Sequence, residues 1–441
     1  MSVMRDGRIA MRPRVAMALV ALAASLVSTA AVALEVEVLA WTPGPGSAQP
    51  SLVATQDGDA VLNWQQRDGE VARLRAARIA VRGRAASSDG AAAADGVRVL
   101  PDIARGRDWF LNWADFPSLA VLDNGDWVGF TLRKSAGSSY AYDIHLQRST
   151  DDGATWSRSQ VVNDDGQKVQ HGFVSLLPDG GDRVLLVWLD GRRELEAGHA
   201  AHHPHGAAHH HDDGPMTLRT VVLGRDGVPR AAARLDADTC SCCQTDLARR
   251  GGEAIAVYRD HAAGIRDIAM IRRTRDGQWH APSPVNADGW RMPGCPVNGP
   301  AAATNGDALA VAWPTMALGP LEVKLAISPR DGAAFGAPQV IDSGETTLGR
   351  VDVAPWHTGG FLVSWVGSEA GSAVLHVAAT DARGAVIERV EVTRLPPGRQ
   401  LGHPRLASVE GRAWVTWTEP TPQGPRVRVA RIQDHATQNR E

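Results

Sequence analysis

The chain of 441 residues predicts an all-β fold, a β-propeller of seven four-stranded blades in which the first and last strands pair to close the ring. Three observations lead to this prediction: a phrase that recurs seven times, strand-like runs that follow each copy, and one spare strand-like segment near the start. A regular recurrence of this kind is typical of repeat architectures, in which each unit buries its faces only against its neighbours.

The recurring phrase is a short apolar segment, a turn of Gly, Asp or Asn, and a second apolar segment that ends in an aromatic residue. The seven terminal aromatics are Trp64, Phe130, Trp188, Tyr258, Trp313, Trp365 and Trp417. We interpret these aromatic side chains as packing between neighbouring blades.

The remaining strands of each blade follow its phrase. Most copies lead into another strand-like run, such as residues 142–149 or 321–328, and then into a short fourth segment such as residues 338–342. Four antiparallel strands joined by such turns make a propeller blade. The seventh blade lacks a fourth strand, which residues 34–41 (LEVEVLAW) can supply by pairing near residues 425–432. That pairing would remove the exposed edges of an open array.

The first 33 residues are expected to be a signal peptide outside the fold. A basic region precedes a short apolar core at residues 15–27 and a small-x-small cleavage signal at residues 31–33. The basic residues are Arg5, Arg8, Arg12 and Arg14. The apolar core is too short to span a bilayer, and no later segment predicts a membrane span. We therefore expect a periplasmic or secreted monomer, with the propeller at residues 34–433 and a polar tail at residues 434–441.

Charge and motifs exclude several classes of function. The formal net charge is −3, and removal of the Arg-rich leader makes the chain more acidic, so a nucleic-acid partner is not expected. The sequence contains no dinucleotide fingerprint, phosphate loop, paired metal-binding histidines on a helix or nucleophile elbow. No nucleotide cofactor is therefore expected.

One short motif connects the chain to a known family. Residues 149–156 read Ser-Thr-Asp-Asp-Gly-Ala-Thr-Trp, and degenerate copies occur at residues 328–335 and 273–279. This matches the Asp-box, which lies in the turn between the third and fourth strands of sialidase-like (BNR-repeat) propellers. The chain resembles that superfamily over its mature length. The segments NWADFPS (112–118), CSCCQTD (240–246) and GCPVNGP (294–300) look like a bacterial exported branch labelled exo-sialidase-like.

The resemblance implies an exo-sialidase-type glycoside hydrolase as one candidate function. Sialidases use a tyrosine nucleophile, for which Tyr142 and Tyr258 are the candidates, and Asp115 would act as the acid/base. The sequence departs from sialidases in two respects. Those enzymes have six blades, so a six-bladed ring is the alternative architecture, and the Arg-Ile-Pro element of the family is absent before the first blade.

The unusual residues of the chain converge on one side of the predicted ring. The connectors that enter each first strand and the loops between second and third strands open onto one face, which we call the connector face. The other turns, including the Asp-box, open onto the opposite Asp-box face. Four arginines on the connector face can hold an anionic ligand by bidentate hydrogen bonds or pair with local aspartates. They are Arg192, Arg259, Arg350 and Arg405.

The cysteines and a histidine-rich loop fall on the same face. Cys240, Cys242 and Cys243 precede the fourth blade and Cys295 precedes the fifth. In an exported protein such cysteines indicate disulfides, and a bond from Cys295 to the cluster would join two blades. They also suit soft metals such as Cu(I) or zinc, or a redox pair. The loop at residues 198–214 adds seven imidazoles, which suit copper and zinc. These are His199, His202, His203, His205, His209, His210 and His211.

Three functions therefore remain open from the sequence. The leading hypothesis is an exported accessory or handling protein that binds a transition metal, copper foremost, or an anionic ligand on its Cys/His-bearing face. The second is the exo-sialidase-type glycosidase. The third is a noncatalytic scaffold for protein or glycan partners.

Overall fold

The computed structural model describes residue 1 and residues 34–434, apart from residues 56, 81–95, 138–139, 164, 193–215, 331–332, 358 and 410. The chain divides into two compact units, Met1–Ala31 and Val32–Glu441. The expected signal peptide lies outside the described residues except for Met1, and the expected tail except for Asp434. No helix among the described residues is long and apolar enough to cross a membrane.

The second unit is all-β, and its described residues include two single-turn 3-10 segments, Ala262–Gly264 and Arg399–Leu401. The strands, in chain order, are β1 Leu34–Val38, β2 Ser47–Ala54, β3 Ala60–Asp68, β4 Val71–Ile79, β5 Val97–Val99, β6 Ala104–Gly106, β7 Leu119–Val121, β8 Trp127–Lys134, β9 Tyr142–Ser149, β10 Gln160–Val161, β11 His171–Pro178, β12 Val184–Asp190, β13 Met216–Leu223, β14 Pro229–Thr239, β15 Asp246–Arg250, β16 Glu253–Arg259, β17 Ile268–Arg273, β18 Ser283–Pro284, β19 Ala301–Asn305, β20 Ala308–Thr315, β21 Glu322–Ser328, β22 Gln339–Ser343, β23 Thr347–Trp356, β24 Gly360–Glu369, β25 Ser372–Thr380, β26 Val386–Leu395, β27 Arg405–Val409, β28 Arg412–Glu419 and β29 Arg426–Asp434.

These strands form seven antiparallel sheets, which are the blades of a β-propeller. Blade 1 contains β2 to β6, and its fourth position is split, because β5 and β6 both pair with β4. Blades 2 to 6 take four consecutive strands each, from β7 to β26, and blade 7 contains β27, β28, β29 and β1. The seven-bladed prediction is confirmed, and the six-bladed alternative is wrong.

Both ends of the described chain build blade 7. β1 pairs antiparallel with β29, with Leu34 opposite Asp434 and Val38 opposite Ala430. The Leu39 amide continues the pairing by donating to the Val429 carbonyl at 2.9 Å. The predicted closure is confirmed, and the outer edge of β29 is covered by a strand from the other end of the chain.

The phrase aromatics lie in the hydrophobic cores between blades, as interpreted from the sequence. Trp313 packs in a cluster that combines side chains of blades 4 and 5, and Trp365 in one that combines blades 5 and 6. Both rings are fully buried. The ring is therefore held together by apolar packing at each of these junctions, as expected when a blade buries its faces against its neighbours.

The Asp-box forms a compact turn between β9 and β10. The Ser149 hydroxyl accepts from the Gly153 amide at 2.9 Å and donates to the Asp151 carboxylate at 2.7 Å. Gly153 has a φ of +81°, and a Cβ there would approach the Trp127 ring to 2.9 Å. Only glycine therefore suits this position, and the motif acts as a structural turn.

Two aspartates, of which Asp352 is buried and Asp246 is half-buried, join the inner strands across blade junctions. Asp246 accepts from the Ala302 amide at 2.9 Å, and Asp352 accepts from the Leu406 amide at 2.6 Å. Each bond runs from the first strand of one blade to the first strand of the next. These contacts set the register between blades near the centre of the ring.

Candidate functional site on the connector face

The three family-like segments meet around one side chain, Gln244. Its Oε1 accepts from the Gly299 amide at 2.9 Å, and its Nε2 donates to the Ala114 carbonyl at 2.7 Å. The same Nε2 lies 3.1 Å from Nε2 of His403. Segments that are far apart in the chain, NWADFPS, CSCCQTD and GCPVNGP, therefore form one surface with the connector that enters blade 7.

Gly299 allows the close approach of two of these segments. A Cβ at this position would lie 2.2 Å from the Gln244 carbonyl oxygen. A side chain there would separate the connectors that enter blades 4 and 5. Glycine is therefore required for the contact between backbones.

His403 is a neutral histidine with a defined tautomer. Because the Gln244 amide nitrogen is a donor, His403 Nε2 must accept, which leaves the ring proton on Nδ1. Burial lowers the pKa of His403 well below its usual value, and the charges of Arg350 and Arg405 lower it further. This ring is therefore uncharged at neutral pH.

Two of the four predicted arginines lie beside this histidine. Arg350 lies over the Trp113 ring at 5.0 Å and donates to the Gly402 carbonyl at 3.2 Å. Burial, and then the charge of Arg399, lowers the Arg350 pKa to about 10. Arg350 also has a φ of +55° at a bulge in β23, and Gln49 and Phe173 have positive φ at the corresponding bulges of β2 and β11.

Arg405 has a carboxylate partner. Its Nε lies 3.2 Å from Asp352, and its guanidinium lies 5.5 Å from the centre of the Phe116 ring. Burial raises the pKa of Asp352 to about 6 despite the opposing charge of Arg405. The sequence left two roles open for the connector-face arginines, binding an anionic ligand or pairing with an aspartate. Arg405 is paired with an aspartate.

The four cysteines come together. Cys242 and Cys295 form a disulfide with a Cα–Cα distance of 6.2 Å, which joins the connectors of blades 4 and 5. Cys240 and Cys243 are free, buried thiols whose Sγ atoms are 3.3 Å apart. Cys240 Sγ lies 4.0 Å from Cys242 Sγ. We call these four residues the cysteine cluster.

Two buried guanidinium groups surround the free thiols. Arg266 Nη1 donates to Cys240 Sγ at 3.2 Å. Arg259 donates to the carbonyls of Asn298 and Pro314 at 2.8 and 2.7 Å and lies 4.7 Å over the Trp290 ring. The two arginines are only 1% and 4% exposed. In the part of the chain that the structure describes, neither contacts a carboxylate.

These charges change the ionisation of the thiols. Burial would raise the pKa of Cys240, but the hydrogen bond with Cys243 and the charges of Arg266 and Arg259 lower it to about 6. Burial and the neighbouring Cys240 raise the pKa of Cys243 well above its usual value. Cys240 is therefore the thiol of this pair that ionises more readily.

The predicted catalytic residues lie in two places. The Tyr142 hydroxyl donates to Asp115 at 2.8 Å, and its ring stacks on Phe110 at 4.0 Å. Burial raises the Asp115 pKa to about 7, although hydrogen bonds from the Phe173 amide and Tyr142 oppose it. Burial also raises the pKa of Tyr142 well above its usual value.

Tyr258 does not join this pair. Its hydroxyl donates to Asp236, and burial, followed by the Asp236 charge, raises its pKa. A cavity of about 180 Å³ lies between the inner strands and is lined by Asp115, Gln244 and Arg405 among others. The structure thus brings Asp115, Tyr142 and Arg405 to one region and leaves Tyr258 outside it.

Two groups of side chains have ligand atoms within 4.8 Å of one another, Cys240 with Cys242 and Cys243, and Asp165 with His171 and Asp190. In the second group Arg192 Nε lies 2.8 Å from Asp165, and Arg192 Nη2 lies 2.6 Å from Asp190. Burial by itself would raise the pKa of Asp190. The hydrogen bond from Arg192 and the charge of His171 have a larger opposite effect, so the pKa of Asp190 lies below its usual value. The predicted ligand-binding Arg192 therefore pairs with both carboxylates of this group, whereas the cysteine cluster contains no cation–carboxylate pair.

Sequence reasoning missed the central role of Gln244 and the contact of Trp113 with Arg350. A signal was present, because Gln244 directly follows the cysteines in CSCCQTD and Trp113 precedes the predicted Asp115. The seven histidines of the predicted metal-binding loop, His199 to His211, lie outside the described residues.

No family model and no curated protein matches the sequence. Among solved structures, a protein of unknown function from Dyadobacter fermentans has a TM-score of 0.49 at 12% identity, covering 90% of this chain and 97% of that one. An alpha-L-arabinanase from Penicillium chrysogenum, solved with arabinobiose, has a TM-score of 0.45 at 12% identity, covering 91% and 98%. A mutant of the NanB sialidase from Streptococcus pneumoniae has a TM-score of 0.46 at 9% identity, covering 91% and 94%.

Proposed function

We propose that this protein is an exported accessory or handling protein that binds a soft transition metal, Cu(I) foremost, through its cysteine cluster. The observation that carries the proposal is the gathering of four sulfurs beside two buried arginines. The proposed export depends on the signal-peptide pattern of the first 33 residues.

The spacing of the sulfurs supports a shared metal ion. Two thiolates that bind one ion at about 2.3 Å lie roughly 3.8 Å apart in a tetrahedral site. The two free thiols are close to this spacing, since Cys240 Sγ lies 3.3 Å from Cys243 Sγ. Thiolate ligands select soft ions such as Cu(I), and also zinc.

The charge around the cluster supports the same proposal. Buried cations are costly unless an anion balances them, and Arg259 and Arg266 contact no carboxylate among the described residues. A metal held by more thiolates than its own charge is anionic. With the two free thiolates, a Cu(I) complex would carry a single negative charge and offset one of the two guanidinium groups, and Arg266 already donates to a sulfur.

The test is metal analysis of protein purified without an affinity tag, with and without reductant, followed by Cu(I) titration against a chromogenic chelator under nitrogen. We expect about one Cu(I) per chain at the cluster. A Cys240→Ser/Cys243→Ser double variant should lose this binding, and a variant that lacks residues 198–214 should keep it. Binding by the wild type no greater than by the double variant, in either condition, would reject the proposal.

An exo-sialidase-type glycosidase is the second candidate, favoured by the Tyr142–Asp115 hydrogen bond beside a cavity that Arg405 also lines. A carboxyl group with a pKa of about 7 can serve as a general acid at neutral pH. The assay is release of a fluorogenic aglycone from several sialosides. Tyr142→Phe should abolish turnover and Tyr258→Phe should retain it.

Absence of turnover by the wild type on every sialoside would remove the glycosidase candidate. If the metal titration also failed, the noncatalytic scaffold for protein or glycan partners would be the remaining candidate. That function needs only the stable ring and its connector face.

A further inference from the structure

We propose that the Cys242–Cys295 disulfide is a redox-active cover on the metal site, and that its reduction by an external dithiol converts a two-thiolate site into a four-thiolate site. The inference rests on the proposed metal-binding function and adds to it a thiol–disulfide exchange activity of the same cluster.

Accessibility divides the cluster into an outer and an inner pair. Cys242 and Cys295 are half-buried, whereas Cys240 and Cys243 are each 1% exposed. An external thiolate can therefore reach the disulfide but not the free thiols beneath it. Because Cys240 Sγ is 4.0 Å from Cys242 Sγ, opening of the disulfide places new thiolates next to the buried pair.

The backbone around Cys295 is held in an unfavourable conformation. Val297 has a φ of +49°, which is an outlier for a β-branched residue. The disulfide anchors this connector on one side of Val297, and the Asn298 carbonyl, which accepts from Arg259, anchors it on the other. Cleavage of the disulfide would free one anchor and let the connector move.

The exchange balances without any further oxidant. One thiolate of a dithiol reductant attacks Cys295 Sγ, the bond to Cys242 breaks, and Cys242 leaves as a thiolate next to Cys240. The second thiol of the reductant then attacks the mixed disulfide and releases Cys295. Two electrons pass from the dithiol to the protein, the reductant leaves as a disulfide, and its two protons pass to the cysteine thiols or to solvent.

The two states differ in the ligands that they offer. The oxidised form presents only Cys240 and Cys243, whereas the reduced form presents four sulfurs in one place. A larger set of thiolates holds Cu(I) or zinc more tightly. A reductant that keeps copper as Cu(I) would therefore also open the full site.

The experiment compares oxidised and reduced full-length protein, the latter desalted under nitrogen after treatment with a dithiol. Alkylation with mass spectrometry should find Cys242 and Cys295 modified only in the reduced form, while circular dichroism remains that of the folded protein. Chelator competition should show at least a tenfold tighter Cu(I) affinity in the reduced form. A Cys242→Ser/Cys295→Ser double variant should bind as the oxidised wild type does and not respond to the dithiol.

The outcomes separate this inference from the function on which it rests. Equal Cu(I) affinity in both forms would overturn the redox control and leave the metal site intact. A disulfide that resists the dithiol until the protein unfolds would also overturn it. No Cu(I) binding in either form would overturn both proposals.

Discussion

Two pairs of arginines, one on each face of the ring, have partners of different chemistry. On the Asp-box face, Arg148 and Arg225 both bind the buried Asp126, at 3.0 and 2.7 Å. Burial would raise the pKa of Asp126, but hydrogen bonds from Arg225, Asn124 and Arg148 hold it below its usual value. This group is a structural ion pair with a charge that does not change under physiological conditions.

On the connector face, Arg259 and Arg266 contact carbonyls and sulfur instead. The charge of a thiol changes with protonation, oxidation state and metal binding, whereas a carboxylate whose pKa is lowered by salt bridges stays ionised at neutral pH. The comparison indicates that the cations of the Asp-box face stabilise the fold, while those of the connector face maintain a reactive site. Four experiments test or sharpen this distinction.

The largest expected effect concerns Asp115, a buried carboxylate that no arginine contacts among the described residues. An unfolded aspartate ionises near pH 4, whereas the native Asp115 has a pKa of about 7. Between these values the native state retains a proton that the unfolded state has lost. The free energy of unfolding should therefore fall as pH rises from about 4 to about 7, by up to about 4 kcal/mol.

Urea denaturation of wild type and Asp115→Asn across this pH range measures the effect. The amide carries no charge at any of these pH values, so the difference between the two curves isolates Asp115 from other titrating groups such as Asp352. If the free energy of unfolding changed with pH in the same way in both proteins, the protonation of Asp115 would not contribute to stability, and the prediction would be wrong.

The second effect concerns Asp126. Asp126→Asn leaves Arg148 buried without an anion. Removal of one partner of a buried ion pair costs roughly 3 to 5 kcal/mol. We expect a loss of about 3 kcal/mol in the free energy of unfolding, at the low end of that range, because the second partner, Arg225, is half exposed. Asp226→Asn is the matched control, since its pair with Arg230 lies on the surface and should contribute little. Similar losses in the two variants would contradict a structural role specific to Asp126.

The third effect concerns the connector-face arginines and depends on the proposed function. Arg266→Met removes the donor to Cys240 and should weaken Cu(I) binding by about 10- to 100-fold, as loss of outer partners does at metal sites. Arg225→Met on the opposite face should leave the affinity unchanged. Chelator competition measures both, and equal losses would indicate a general destabilisation rather than a local charge effect.

The smallest effect concerns the Asp-box. Ser149→Ala removes the hydroxyl that accepts from the Gly153 amide and donates to Asp151, which should lower the free energy of unfolding by about 1 kcal/mol. Cu(I) affinity should not change. A loss of metal binding in this variant would show that the two faces are coupled.

The residue pattern predicts the ring well and the site only in part. Periodic aromatics such as Trp313 and Trp365 identified the blades, and residues 34–41 were correctly assigned to the last one. The possible bond from Cys295 to the cysteines before blade 4 was also foreseen as one alternative, and the structure contains it. Arg259, by contrast, was expected to face a ligand or an aspartate, and it lies buried with its donors on backbone carbonyls.

The sequence by itself determined the repeat and the strand order, because these depend on local periodicity and turn chemistry. Only the tertiary structure decided which side chains meet. Gln244 reaches Ala114, Gly299 and His403 through connectors whose paths depend on bulges, glycine contacts and blade registers. Such contacts join residues more than 50 positions apart, and no local pattern along the chain reports the direction in which a guanidinium or a sulfur will point.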